Sequence, residues 1–401
     1  MDRRQFVLAA GGAAASARAA GANDRIGVAV IGCGGRGLLN EVLQFGRECN
    51  VEVAGVCDTW RQQREKAAAT VKQKTDKEPP QFVHYQDVLA AKSVDAVLIS
   101  SPDHQHCTML MAAIRAGKDV YVEKPLAMEM KELVDSVDAV KKSDRVVQVG
   151  TQVRSWAPSV AGRALVGSGG LGKILKVEQS RNGYRPYWHG TGARPVEERD
   201  VDWRAFLMHR KYRPWDADQY AGWYGYREFS RGPHTGFMAH FADLLHFVTG
   251  AKYPKRVVAL GGIYRWKDAR TAPDSIEVIL EYPDEGFLAR YNTTFGTDAG
   301  SYLKFIGTRG VMDATRWNYP WVLDGTGSRE PDRIQTGARV PEMESTPHMK
   351  NWFECMRTRK EPAAPIEAGY GHAVACIMAD EAFIRGRRMV HDPAKRIIHE
   401  G

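Results

Sequence analysis

Between Ile26 and Gly150 six short β-branched runs alternate with helical stretches, and this alternation constrains the fold more than any other feature of the chain. The runs are IGVAVIG (26–32), VEVAGVCD (51–58), FVHY (82–85), VDAVLISS (94–101), DVYVEK (119–124) and RVVQVG (145–150). The clearest helical stretches between them are WRQQREKAAATVKQK and MKELVDSVDAVKKS. Strands that recur with a helix between them pair in parallel, so the spacing predicts a six-stranded, doubly wound α/β domain over 24–150. After Gln152 the pattern changes. An amphipathic stretch, PSVAGRALVGSG, precedes longer strands: ILKVEQSRN, KRVVALGGIYRW, DSIEVILEY, GFLARYNTTF and YLKFIGTRGVMDAT. Strands following one another predict an α+β domain with a mainly antiparallel sheet over 151–401, and the tail PIEAGYGHAVACIMADEAFIRGRR reads as a helix that can pack back on the first domain. From Tyr184 to Gly232 the chain is rich in Trp and Tyr with little periodicity, which marks a functional loop region or arm.

The leader sets the expected compartment. Arg3 and Arg4 precede Gln5, Phe6, Val7 and Leu8, then an Ala/Gly run and an A-x-A cleavage candidate at Ala17-Arg18-Ala19. A twin arginine before a weakly apolar run is a Tat-type signal, here residues 1–20, so export of the folded protein to the periplasm is expected. A bilayer anchor needs roughly 20 apolar residues, more than this Gly-rich run offers, and no stable membrane anchor is expected. The 401 residues are 43% apolar and 26% charged, the balance of a soluble enzyme long enough for two domains. The net charge of +8 is scattered, the densest run being RGRR at 385–388, and no basic block interleaved with aromatics points to nucleic acid. The six cysteines show neither C-x-x-C nor disulfide spacing, so no metal site is expected.

The chemistry begins at Gly32-x-Gly34-x-x-Gly37, which follows the first strand and opens a helix, with Asp58 ending the second strand. In such a turn Gly32 lets the chain reverse, Gly34 lets backbone approach a pyrophosphate, and Gly37 allows close helix packing, while Asp58 accepts from ribose hydroxyls. Cys33, Gly35 and Arg36 complete the phosphate turn of this Rossmann fingerprint. Asp58 argues for NAD, and Arg61 and Arg64 leave NADP open by lying within reach of a 2′-phosphate. SSPDHQH (100–106) and VEKPLAM (122–128) follow strands at their C-terminal ends, where open α/β sheets bind ligands.

VIGCGGRG, SPDHQH, EKPLA and their spacing, together with HMKNWFECMRTRKEP near the C-terminus, resemble the Gfo/Idh/MocA family. The resemblance implies a Rossmann domain, then a domain whose open antiparallel sheet carries the substrate site and the contacts of a homo-oligomer, a dimer or tetramer. It implies NAD(P)-linked hydride transfer at a carbinol carbon of a sugar or cyclitol, and it places Ser101, Pro102, His104, Glu123 and Gln152 about the cofactor with Asp103. His106 either joins them or caps the following helix. The EKP lysine corresponds to Lys124, whose charge would stabilise a developing alkoxide. In the D-x-x-x-H pair of many members, His240 fits the histidine but Gly236 stands where the aspartate would be. His240 would then take the hydroxyl proton, with Asp243 either orienting it as part of the substrate site or serving the helix. His234 either replaces the aspartate, as the two-histidine spacing of NAD-dependent α-N-acetylgalactosaminidases suggests, or only starts the helix. Arg154, Tyr184, Arg185, Trp188, Trp223 and Tyr226 are candidates for a sugar-facing wall.

These readings converge on a periplasmic oxidoreductase acting on a sugar, glycoside or cyclitol hydroxyl with a tightly held nicotinamide cofactor. Redox-neutral glycoside cleavage and a non-catalytic, NAD-holding sugar-binding protein are the alternatives.

Overall fold

The structure, a computed structural model, describes residues 24–35, 37–185 and 196–401. The leader, Arg36 and Trp188 lie outside these residues. Strands β1 (Ile26–Ile31), β2 (Val51–Cys57), β3 (Gln81–Phe82), β4 (Ala96–Ile99), β5 (Asp119–Val122) and β6 (Val147–Val149) form a parallel sheet in the order β3-β2-β1-β4-β5-β6. Helices α1 (Leu38–Cys49), α2 (Arg61–Thr75), α3 (Tyr85–Ala90), α4 (His106–Arg115) and α5 (Met130–Lys141) make the crossovers. The third run is shorter than its sequence predicts: only Gln81 and Phe82 pair with β2, and Tyr85 already starts α3, which buries Val88. The order reverses between β1 and β4, and ligands bind outside such a reversal, at the carboxyl ends of the strands.

Beyond α6 (Ala157–Gly167) and β7 (Ile174–Arg181) come two short helices, α7 (Trp203–Leu207) and α8 (Ala217–Ala221), and then the long α9 (Pro233–Thr249). Helix α9 is punctuated at both ends: Pro233 stands in its first turn, and Gly250, at φ 82°, closes it by donating to the His246 carbonyl. Strands β8 (Arg256–Gly262), β9 (Ser275–Tyr282), β10 (Phe287–Thr294), β11 (Ser301–Gly307), β12 (Gly310–Asp313) and β13 (Val322–Asp324) follow. Then come α10 (His348–Thr358), α11 (Ile366–Arg385), β14 (Met389–Asp392) and β15 (Ile397–Glu400). The second sheet runs β13-β12-β11-β7-β10-β9-β8-β14-β15, with β7 and β10 parallel and the other pairs antiparallel. The first domain is thus a Rossmann sheet and the second an α/β domain on a mostly antiparallel sheet.

Helices fasten the two halves together. Met349, Trp352, Phe353 and Met356 recur at the i, i+3, i+4, i+7 spacing of one helical face and pack α10 against Val28, Val30, Leu98 and Tyr121 of the first sheet. Each such large apolar side chain contributes about 1.5–3 kcal/mol when fully buried. A second cluster runs from Ile31 and Val97 through Leu126, Leu244 and Ala373 to Val278 and Tyr291, so the second sheet shares its core with the first.

Candidate active site

The glycine turn forms one wall of a cavity of about 760 Å³ at the strand reversal. Gly32 sits at φ 88°, and a Cβ there would lie 2.6 Å from Ser100 backbone, so only glycine permits the chain to turn so close to β4. At Gly34 and Gly35 a Cβ would meet nothing within 4 Å, because both face the cavity. Here is a bare backbone cradle, opening onto the N-terminus of α1, that fits a dinucleotide phosphate. Gly37 corrects its expected role: nothing lies near enough to need a missing side chain, and its left-handed φ of 71° serves instead to enter α1. The Cys33 thiol also departs from expectation, turning back toward the Val30 and Cys57 carbonyls. Asp58 lines the cavity while its two oxygens accept the backbone N–H of Cys33 (2.8 Å) and Trp60 (2.9 Å), so it braces the turn as well. Burial raises its pKa. The two arginines that left NADP open are committed elsewhere: Arg61 binds Asp200 and Arg64 donates to the Asp58 carbonyl at 2.8 Å.

The opposite wall is the segment from Val196 to Phe229, which contributes Val196, Asp202, Arg204, Phe206, Met208, His209, Tyr220 and Trp223 to the cavity lining. Trp203, Phe206, Tyr220 and Phe229 pack on one another and on Trp60. Polar groups pin this aromatic roof to the Rossmann floor: Asp200 receives Arg61 (2.5 Å) and Gln62 (3.0 Å), and the Asp202 N–H donates to the Thr59 carbonyl (2.9 Å).

His104 belongs to this roof contact, which corrects its assignment to the cofactor. Its Nε2 donates to the Phe206 carbonyl at 2.8 Å, and its ring packs against both Phe206 and Phe229. Burial pulls its pKa to about 3, so the ring is neutral. His106 is likewise withdrawn from the cofactor and does not cap the following helix, whose first residue it is: its nitrogens lie 2.8 Å from the Pro125 and Ser101 carbonyls, joining the loops that follow β4 and β5. Asp103 accepts from Ser230 at 2.6 Å. Gln152 and Glu123 bind each other at 2.7 Å, Gln152 also reaching the Tyr121 hydroxyl, and neither lines the cavity, whereas Ser101 and Pro102 do.

Lys124, at the end of β5, donates from Nζ to the Gly236 carbonyl at 2.8 Å. His240 lies one helical turn after Gly236 on the same face of α9. A Cβ on Gly236 would fall 1.6 Å from the Tyr224 hydroxyl, so the space beside this glycine, where an aspartate would begin, is filled by a phenol from the roof segment. Sequence reasoning missed Tyr224; the signal was a glycine in a carboxylate's place, downstream of an aromatic-rich stretch.

The other expected partners are drawn apart. His234 is fully buried, its Nε2 3.3 Å from Asp380, which also binds Arg227 (2.7 Å) and Arg231 (2.6 Å); it locks the start of α9 to α11 and does not replace the aspartate. Asp243 neither orients His240 nor meets substrate, because Arg154 holds both its oxygens, at 2.9 and 2.7 Å. The same buried pair removes Arg154 from the sugar wall. Tyr184 is exposed and meets Trp266 edge-on, Arg185 lies over the Phe237 ring, and Trp223 lines the cavity.

A Rossmann floor with a bare glycine cradle, and a lysine at a strand end facing a helix of the second domain, define the class as a two-domain fold with a dinucleotide-binding Rossmann half. Residues 26–151 match the oxidoreductase family's NAD-binding Rossmann fold and residues 204–389 its C-terminal alpha/beta domain. The chain belongs to the Gfo/Idh/MocA oxidoreductases, and its first domain is an NAD-binding one. It is 25% identical over 185 residues to a glycosyl hydrolase family 109 protein of Shewanella sp. (strain W3-18-1), covering 41% of this chain and 40% of that protein. It is 32% identical over 132 residues to the inositol 2-dehydrogenase/D-chiro-inositol 3-dehydrogenase of Lactiplantibacillus plantarum, covering 32% and 36%. The matches thus span about 40% or less of these curated relatives. In fold it is similar to the WlbA dehydrogenase of Bordetella pertussis, solved with NADH and UDP-GlcNAcA (TM-score 0.70, 20% identity, 92% of this chain and 99% of that one). Among the described residues no helix is long and apolar enough to cross a membrane.

Proposed function

We propose that the protein transfers a hydride between a nicotinamide cofactor kept in the roofed cavity and a hydroxyl or keto carbon of a sugar, glycoside or cyclitol. The observation that carries this reading is the meeting of Lys124 and Tyr224 on Gly236, one turn from His240, beside the cavity-lining Trp223. NAD, when bound, supplies the hydride acceptor. The N–H groups of the glycine turn and the N-terminus of α1 hold its diphosphate, and Asp58 faces its ribose. Lys124 stabilises negative charge growing on the substrate oxygen, His240 takes the hydroxyl proton, and the Tyr224 hydroxyl stands in for the absent carboxylate. The roof excludes water from this exchange.

In this reading the twin-arginine leader carries a folded, already loaded protein to the periplasm, where little free cofactor exists. Retention must then be tighter than micromolar, or more than roughly 8 kcal/mol. The retained nucleotide is recycled by a second carbonyl substrate or by return of the hydride to the same molecule. The second route amounts to redox-neutral glycoside cleavage, a reading favoured by the similarity to glycosyl hydrolase family 109 proteins. The test is to purify the protein without added cofactor, denature it and assay the released nucleotide, then follow nicotinamide absorbance of the intact protein with a panel of sugars and glycosides. Near-stoichiometric nucleotide and ketosugar products are expected. Empty protein that needs a continuous external supply would contradict retention, and an unchanging nicotinamide spectrum with every sugar would contradict hydride transfer.

A further inference from the structure

Arg181, at the end of β7, and Arg185, four residues on, lie over the same ring: their Cζ atoms are 5.4 and 5.2 Å from the centroid of Phe237. Arg181 is also 5.5 Å from the centroid of Trp317, which meets the His240 ring at 6.0 Å. Phe237 follows Gly236 in α9, so the two guanidinium groups flank the helical turn on which Lys124, Tyr224 and His240 converge. Their backbone is fixed along the end of β10: the Gly183 N–H donates to the Thr294 carbonyl (3.0 Å), the Arg185 N–H to the Phe295 carbonyl (3.1 Å), and the Thr293 hydroxyl to the Arg181 carbonyl.

What these cations lack, among the described residues, is a counter-charge. Elsewhere in the molecule arginines drawn into the interior are matched by carboxylates: Arg154 by Asp243, and Arg227 and Arg231 by Asp380. Among the described residues Arg181 and Arg185 have no such partner, although both are half-buried. The stretch that follows, PYWHGTGARP at 186–195, contains neither Asp nor Glu and adds a further arginine. Burial, with the neighbouring Arg185 charge, pulls the Arg181 pKa below the usual arginine range. Two like charges held together, partly dehydrated and without an anion, are unfavourable unless an anion arrives. Guanidinium is suited to that task, since its planar fork matches carboxylate, sulfate and phosphate oxygens while its face stacks on an aromatic ring.

We propose that Arg181 and Arg185 form an anion receptor and that the substrate is an acidic sugar, its carboxylate, sulfate or phosphate group seated between the two guanidiniums while a carbinol carbon faces Lys124. The placing of that carbon rests on the hydride-transfer reading above; the charge preference rests on the arginine pair alone. The test is titration calorimetry on the protein as purified, nucleotide included. D-Glucuronate, D-glucose 6-sulfate and D-glucose 6-phosphate are compared with D-glucose, and the galacto and manno series likewise. At least one anionic form should bind about tenfold or more tightly than its neutral counterpart, with a preference that shrinks as salt is raised. The anion that does so separates a uronate from a sulfated or phosphorylated sugar. Arg181→Gln and Arg185→Gln should each remove most of the preference, and Arg185→Lys should keep part of it. The receptor is overturned if no anionic form surpasses its neutral counterpart, or if the preference survives both glutamine substitutions. An acidic sugar that binds with preference but never alters the nicotinamide spectrum would sink hydride transfer and leave the receptor standing. Neutral sugars bound as tightly and oxidised as fast would do the reverse.

Discussion

The floor and the roof of the cofactor cavity are built by different means. The floor is regular: parallel strands of buried Val, Ile and Ala end in a glycine turn, and each position follows from a local pattern of two or 3.6 residues. The roof, Val196–Phe229, has two short α-helices and two single 3-10 turns, and its order comes from aromatic rings packed on one another and on Trp60 of the floor. A structure of the first kind holds its shape through its own backbone hydrogen bonds. One of the second kind depends on a few buried rings and polar pins.

The largest effect tests the chemistry that floor and roof share. Lys124→Ala should lower turnover by roughly 10²–10⁴-fold, the range for losing a positioned acid-base or electrostatic group, with nucleotide retained. Near-normal turnover in steady-state assays would remove Lys124 from the mechanism. Next comes the roof itself. Phe206→Ala should cost about 3–5 kcal/mol of stability, typical of an aromatic cavity, and should release the nucleotide on gel filtration while the Rossmann sheet persists by circular dichroism. If nucleotide stays bound as before, the roof does not retain it. Gly236→Ala should cost about 1–3 kcal/mol in denaturant unfolding, because the added methyl overpacks against the Tyr224 hydroxyl, and Tyr224→Ala/Gly236→Ala should recover part of that loss.

The smallest effect is graded with pH. His104 has an ordinary pKa of 6.5 and is held at about 3 beneath the roof, so the unfolded or opened chain binds a proton that the closed form does not. Its contribution to closure is therefore full above about pH 6.5 and is lost progressively as pH falls toward 3. His246, His348 and His372 are depressed by burial in the same sense and add to acid unfolding of the whole protein. The share of the roof is read from nucleotide release measured over this pH range, which should be less steep in His104→Gln than in the unaltered protein. Identical slopes would show that His104 is not the group that loosens it.

Most of the floor was legible in advance. Gly32, Gly34 and Asp58 follow from a motif whose residues are neighbours along the chain, and Lys124 from a strand end; all are placed by local geometry. The misassigned residues share a different cause. His104, His234, Arg154 and Asp243 are polar groups that each resemble catalytic machinery in sequence, yet each is engaged by a partner brought from far along the chain: the Phe206 carbonyl, Asp380, and Arg154 with Asp243. A buried polar group must find such a partner, and one-dimensional spacing does not say which.

The sequence by itself determined the parallel sheet, the glycine cradle and the acidic end of β2, because strand pairing and turn conformation depend on short-range pattern. Only the tertiary structure decided that a phenol from the roof takes the space beside Gly236, that Arg154 and Asp243 neutralise each other, and that Arg181 and Arg185 are left without a counter-charge among the described residues. Those outcomes depend on which side chains compete for the same buried space and the same charge, and that competition exists only once distant segments have packed.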